Sequence, residues 1–108
     1  MRVVYIILRN DLNFKSGPLA AQAAHAVSLL IHKHHELMKD YLDQEYGMRK
    51  IILGGNELEF KELKIQLETQ GIKYVEWLEY PENVVTALCT TPIEPSERPK
   101  LLKKINLF

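Results

Sequence analysis

Two apolar stretches, residues 3–9 and residues 84–91, constrain the fold of this chain more than any other feature. Both are rich in Val, Ile and Leu with little polar alternation, which is typical of strands covered on both faces. A sheet covered on both faces needs helices packed on each side. The sequence therefore predicts an α/β domain in which these two strands are central.

The remaining segments complete one domain over residues 1–108. The predicted elements are strands at 3–9, 48–54, 72–80 and 84–91, and helices at 18–42, at 56–70 and from Ser96 onward. Helical connections after the first two strands imply right-handed parallel pairing, whereas the short link before the last strand permits only antiparallel pairing. We expect a three-layer α/β/α sandwich with a four-stranded mixed sheet, in the order β-α-β-α-β-β-α.

Helix boundaries are marked by capping residues. Asn56 is an expected N-cap that forms a capping box with Glu59, and Gly71 is the expected C-terminal stop of the same helix. Ser96 is expected to cap the last helix.

Composition excludes several classes of protein. Fourteen basic residues balance fourteen acidic ones, which argues against non-specific coating of nucleic acid. A local basic set near the C-terminus could hold one RNA end or be a solvated helix face; it comprises Arg98, Lys100, Lys103 and Lys104. No apolar run approaches the ~20 residues that span a bilayer. A lone cysteine, Cys89, indicates a reducing, cytoplasmic compartment and is interpreted as a small core residue.

The first long helix carries a candidate catalytic histidine. His25 and Gln22 are one turn apart and are predicted to lie opposite the alanine-rich apolar stripe. A histidine in this position can act as a general base, with the amide reaching the same site. The alternative is a histidine that only packs at the rim of the core.

The loop after the first strand is a candidate substrate-binding segment. Asn10 and Asp11 follow the carboxyl end of that strand, where ligands bind in open α/β sheets. Lys15 precedes a helix N-terminus, which can hold an anion. For Asp11, turn capping is an equal alternative.

Two polar residues near the closing strand pair complete the candidate set. Glu79 and Thr86 could orient water or a histidine, or could simply reflect turn solvation and β-propensity. His32 and His35 have helical metal-ligand spacing, but no further ligands complete a zinc site, so no metal is predicted. Trp77 could stack on a base, although core packing is favoured.

The order and spacing of several short segments resemble the type-II peptidyl-tRNA hydrolase family, particularly its eukaryotic peptidyl-tRNA hydrolase domain-containing branch. The segments are RNDL at 9–12, LAAQAAHA at 19–26, MRK at 48–50, WLE at 77–79, PEN at 81–83 and the end of the chain at 102–108. The resemblance implies a mixed four-stranded sheet between helices, hydrolysis of the ester joining a peptide to tRNA, no cofactor, and a homodimer.

The resemblance also assigns residues. Glu79 is the nearest match to the family's acidic residue, Thr86 matches its threonine, and Pro18 stands where the family has a lysine. The first hypothesis is an esterase in which His25 or Glu79 positions or deprotonates the attacking water. The second is a catalytically weak or inactive member that binds tRNA or a protein partner. A third, chance similarity, predicts a sheet without contact between the first and fourth strands.

Overall fold

The computed structural model describes residues 1–108. The elements are β1 (Val4–Arg9), α1 (Ser16–Lys33), α2 (His35–Leu42), β2 (Lys50–Gly55), α3 (Glu57–Thr69), β3 (Tyr74–Glu79), β4 (Val84–Thr90), a 3₁₀ turn (Pro95–Glu97) and α4 (Lys100–Lys104). None of these helices is both long enough and apolar enough to span a membrane.

The four strands form one mixed sheet in the order β2-β1-β4-β3. β1 pairs in parallel with β2, whereas β4 runs antiparallel to both β1 and β3. The predicted four-stranded mixed sheet is confirmed. The pairing of Ile6 with Cys89 and of Ile7 with Leu88 joins the first and fourth strands, so the prediction from chance similarity is wrong.

Side chains alternate along β1, so the two faces of this strand contribute to two separate cores. Val4, Ile6 and Leu8 pack with buried residues of α1 and α2, including Ala26 and Leu30. On the other face, Val3, Tyr5 and Ile7 pack with α3 and α4 through residues that include Phe60, Leu63, Leu67, Leu101 and Leu102. Full burial of each large aliphatic side chain favours the fold by roughly 1.5–3 kcal/mol. The two cores confirm the three-layer arrangement.

The single helix predicted over residues 18–42 is wrong, because two helices occupy this segment. His34 leaves the helical region with φ −124° and ψ 37°, and α2 then begins at His35. The break changes the direction of the chain, and Met38 and Tyr41 of α2 are buried in the core. A change of direction at one residue leaves the hydrophobic spacing on either side helical, so periodicity does not detect it.

The capping predictions have mixed outcomes. The box between Asn56 and Glu59 is confirmed, since each backbone N–H donates to the other's side chain, at 2.9 and 2.8 Å. Gly71 is confirmed as the stop of α3, with a φ of +70° that favours glycine. Ser96 does not cap the last helix, which begins only after Pro99. Proline disfavours a helical conformation at the preceding residue, and Arg98 is indeed extended.

The two edges of the sheet are treated differently. Beside β2, the backbone N–H of Gly54 donates to the carbonyl of Asn106 at 3.0 Å, and the N–H of Phe108 donates to the carbonyl of Ile52 at 3.2 Å. The C-terminal residues thus cover this edge. The other edge is β3, whose only partner strand is β4.

Candidate functional site

A β-bulge in β4 builds one corner of the site. Trp77 pairs with Ala87, but the next residue, Leu78, pairs with Val85, so Thr86 is an extra residue in β4. Bulges locally change the direction in which a strand's side chains point. Ala87 belongs to the core under α1, and the Thr86 side chain also reaches α1 rather than the opposite layer. The bulge therefore delivers a hydroxyl to the α1 side of the sheet.

The side chain of Gln22 makes three hydrogen bonds on the α1 side of the sheet. Its Nε2 donates to the carbonyl of Pro18 at 3.2 Å and to Oε2 of Glu79 at 3.0 Å, while its Oε1 accepts the Thr86 hydroxyl at 2.7 Å. Both amide hydrogens are engaged, and only 2% of the residue is exposed. Its donors and acceptors fix the orientation of the carboxamide.

The prediction that Gln22 lies opposite the buried stripe of α1 is wrong. Gln22 shares the buried face with Ala26 and Leu30. Three hydrogen bonds compensate the desolvation of the amide, which allows a polar residue on that face. Apolar periodicity predicts that such a residue faces solvent, because the pattern reflects side-chain polarity and not the hydrogen bonds that the residue can form. His25, placed on the same outer side by prediction, is half-buried.

Glu79 is held by two donors from different elements. The indole Nε1 of Trp77 donates to Oε1 at 3.0 Å, and the Gln22 amide donates to Oε2. The hydrogen bond from Trp77, then that from Gln22, lowers the pKa of the Glu79 carboxyl, and the charge of His25 acts in the same direction. Glu79 is therefore a carboxylate at neutral pH, suited to orienting and electrostatic roles.

His25 stacks on Trp77. The ring centroids are 4.5 Å apart and the planes are inclined by 20°. Trp77 itself is half-buried and packs against the core under α1, so the core-packing interpretation is partly right. The same indole thus positions His25 with its face and Glu79 with its N–H.

The structure brings together His25, Gln22, Glu79 and Thr86 from the predicted set. Trp77, for which core packing is the favoured sequence interpretation, also belongs to this cluster. A sequence signal existed: Trp77 and Glu79 are two apart on one strand and so lie on the same face of the sheet.

Asp11 makes its contacts with Arg9 and with the start of α3. Its carboxylate accepts from Nε of Arg9 at 2.7 Å and Nη2 at 3.1 Å, and also from the backbone N–H of Glu57 at 3.2 Å. The Arg9 hydrogen bond is the main cause that lowers the pKa of Asp11, with the Glu57 N–H adding to it. These contacts are with a neighbouring guanidinium and a distant helix start, so they differ from the turn capping given as the alternative, and they tie the loop to the start of α3.

Arg9 was not predicted and links this loop to the bulge. The side chain is 9% exposed, and its Nη1 donates to the carbonyl of Val85 at 3.1 Å, next to Thr86. A basic residue that ends a buried apolar strand was the available signal.

The other two loop residues are exposed. Asn10 lines a cavity of about 370 Å³ together with Glu59, Lys104 and Phe108. Lys15 is the N-cap residue of α1, where no side chain caps the helix and the first turn carries no acidic residue. The positive end of the α1 dipole is therefore left without a neighbouring carboxylate in that turn.

The remaining candidates are the histidines outside this cluster and the cysteine. No group of three or more His, Cys, Asp or Glu side chains is arranged to hold a metal ion. Cys89 is fully buried in the core, as predicted, and burial raises the pKa of its thiol to about 12.

Comparisons with known proteins agree on one family. The family model described as "Peptidyl-tRNA hydrolase PTH2" matches residues 2–108. The human protein named "Putative peptidyl-tRNA hydrolase PTRHD1" is 37% identical over 114 residues, covering 98% of this chain and 81% of that protein, and its mouse counterpart gives the same values. A "Peptidyl-tRNA hydrolase" of Thermoplasma acidophilum is 32% identical over 75 residues, covering 67% of this chain and 64% of that protein.

Proposed function

Since this chain belongs to the peptidyl-tRNA hydrolase PTH2 family, we propose that it hydrolyses the ester bond of peptidyl-tRNA, releasing peptide and tRNA. The observation that carries the proposal is the stacked pair of His25 and Trp77 beside an ionised Glu79. Ester hydrolysis requires a positioned water, a base and stabilisation of developing charge, and this cluster can supply the first two.

The chemical step assigned to His25 is general base catalysis. Water attacks the ester carbonyl while the imidazole takes the water proton, which produces a tetrahedral oxyanion. Collapse of this intermediate breaks the bond between the carbonyl carbon and the ribose oxygen of tRNA. The imidazolium then returns the proton to that oxygen, so the enzyme ends in its starting state.

Glu79 orients the water and stabilises the charge that forms on His25 in this step, because it is a carboxylate bound to the same indole on which His25 stacks. Gln22 and Thr86 act as positioning residues in this scheme. Both are nearly fully buried, at 2% and 1% exposure, and their hydrogen bonds hold the carboxylate rather than face a ligand. Their predicted direct roles, substrate contact and catalysis, stay predictions.

The anionic part of the substrate is assigned to the start of α1. Lys15 supplies a charge there, and the uncapped helix end favours a phosphate or the oxyanion. Asn10 is exposed and could contact the tRNA end on the neighbouring surface. Asp11 contributes through the loop it anchors to Arg9.

The second function is a binding module with little or no turnover. The feature favouring it is Pro18, because the resemblance implies a lysine at this position and proline carries no charge, which leaves Lys15 as the single lysine of the loop at 10–17. In that case the same surface binds tRNA or a protein partner. Action in the cytoplasm and assembly as a homodimer belong to both versions of the proposal.

The test is release of N-acetyl-aminoacyl-tRNA by the purified chain in excess substrate. We expect turnover that falls about 10²-fold or more in His25→Ala and clearly in Glu79→Ala. His32→Ala is the matched control, because His32 lies two turns further along α1 on an exposed site, and it should retain full activity. Unchanged rates in both site variants would remove the assigned site, and no release at any enzyme concentration would leave only the binding module.

A further inference from the structure

The unprotected edge of the sheet lies beside the site. The edge at β2 is covered by the C-terminal residues through two backbone hydrogen bonds. The edge at β3 is open, and β3 carries both Trp77 and Glu79. An open strand edge offers unpaired N–H and C=O groups to another extended chain.

The pairing pattern identifies the outward groups. The N–H of Thr91 donates to the carbonyl of Lys73, so Lys73 directs its backbone groups toward β4. Alternation along an antiparallel pair then directs the backbone groups of Tyr74, Glu76 and Leu78 away from β4, to the open edge.

β3 lacks the residues that usually block such an edge. It contains neither proline nor lysine. Its two acidic side chains are engaged on the faces of the sheet, Glu76 with Lys64 at 3.4 Å and Glu79 with Trp77 and Gln22. The edge backbone is therefore accessible to a peptide without first breaking these contacts.

We infer that the peptide part of peptidyl-tRNA binds as an added strand along the β3 edge, an inference that rests on the proposed function. The ester joins the C-terminal residue of the peptide to tRNA, and this end must reach Glu79 and His25. β3 runs toward Glu79, so a peptide whose C-terminus lies there and whose body follows the edge pairs in parallel with β3.

Main-chain pairing suits this substrate. Peptides carried by tRNA differ in sequence, and backbone hydrogen bonds form with any residue except proline as donor. Six residues of β3 span about 20 Å, which accommodates about four to six substrate residues. The edge thus recognises a peptide by its backbone and leaves its side chains free.

The first experiment compares N-acetyl-aminoacyl-tRNA with an N-acetyl-tetrapeptidyl-tRNA ending in the same residue. We expect kcat/KM to be about tenfold higher for the longer substrate, mainly through KM. In Glu76→Pro, which removes one outward N–H at an edge where proline is tolerated, the ratio should fall toward one. Glu76→Ala is the matched control: it also loses the ion pair with Lys64 but keeps the N–H, and it should retain the length preference.

A second experiment leaves the protein unchanged. Single N-methyl groups are placed at successive positions of the tetrapeptide, each of which removes one donor. Because alternate residues of a strand face their neighbour, methylation at every second position should lower kcat/KM and methylation between them should not.

The outcomes separate the two proposals. If the one-residue substrate is hydrolysed but kcat/KM does not depend on peptide length, or if methylation has the same effect at all positions, the peptide does not bind along the β3 edge. The proposed hydrolase function would still stand. Absence of turnover for every substrate would overturn the proposed function and the edge inference with it.

Discussion

The hydroxyl of Thr86 donates a 2.7 Å hydrogen bond to the carboxamide oxygen of Gln22, and both residues are almost completely buried. This bond joins the bulged strand β4 to the first helix. It also fixes which end of the amide faces Glu79, since Nε2 must then point toward the carboxylate. The orientation of an acidic group at the surface of the site thus depends on a contact in the interior.

Replacing Thr86 by Val should destabilise the protein by about 1–3 kcal/mol, because the buried Gln22 oxygen loses its partner. Thr86→Ser keeps the hydroxyl and should cost less. The measurement is urea unfolding, extended to the double variant Thr86→Val/Gln22→Leu. Since the two side chains are in contact, the double variant should lose less stability than the sum of the single losses. Strict additivity would show that the bond contributes nothing as a pair.

Glu79 should make its stabilising contribution only as a carboxylate. Hydrogen bonds from Trp77 and Gln22 lower its pKa in the folded state, so the contribution is present above the unfolded-state pKa and is lost as pH falls through the folded-state pKa. Glu79→Gln should therefore be less stable than the parent at neutral pH, and the gap should shrink in acid. Urea midpoints across this pH range test it.

A matched control for that series is Glu82→Gln, which removes one acidic charge from an exposed residue of the neighbouring turn. Its effect should stay within about 0.5 kcal/mol throughout, as for most surface substitutions. A gap between Glu79→Gln and the parent that is constant with pH would contradict the assignment of an ionised, doubly hydrogen-bonded carboxylate.

The stacked rings give a direct spectroscopic report on the site. Trp77 is the single tryptophan of the chain, and a histidine ring 4.5 Å from its own ring quenches indole emission by contact. At one fixed pH, fluorescence should therefore be stronger in His25→Ala than in the parent. The control is His32→Ala, which should emit like the parent. Equal emission from His25→Ala and the parent would contradict the stacked arrangement.

Cys89 should be inert while the protein is folded. Its side chain is fully buried and its thiol pKa is raised to about 12, so the reactive thiolate is scarce and inaccessible. An aromatic disulfide reagent should label no thiol in buffer and one thiol per chain in unfolding concentrations of urea. Rapid labelling under native conditions would show that β4 opens locally.

The central architecture was predictable because it rests on strong local patterns. The apolar runs of β1 and β4, the capping box at Asn56 and the stop at Gly71 each leave a signature in a few consecutive residues. The break at His34 leaves no such signature, because it depends on where the chain must turn to cover the sheet, which is information distributed over the whole fold. The start of α4 does have one, since Pro99 keeps Arg98 extended, but Ser96 was preferred as the cap.

The candidate site, too, was predictable only in part. His25, Glu79 and Thr86 could be proposed from residue type and resemblance, but the burial of Gln22 could not, since it depends on three partners that are distant in sequence or follow from helix geometry. The position of Asp11 after β1 predicts a ligand contact, which stays a prediction, and its contacts with a neighbouring guanidinium and the N–H of Glu57 could not be predicted from the sequence.

The extra residue in β4 has a consequence for how this protein tolerates changes in length. Deleting Thr86 would restore uninterrupted one-to-one pairing with β3 and so yield a more regular sheet. The same deletion would leave the Gln22 oxygen facing a strand that no longer offers a hydroxyl. Insertions and deletions in this segment are therefore not neutral even where they make the strand pairing more regular, and a homologue with one residue fewer here would have to orient the carboxylate equivalent to Glu79 through other contacts.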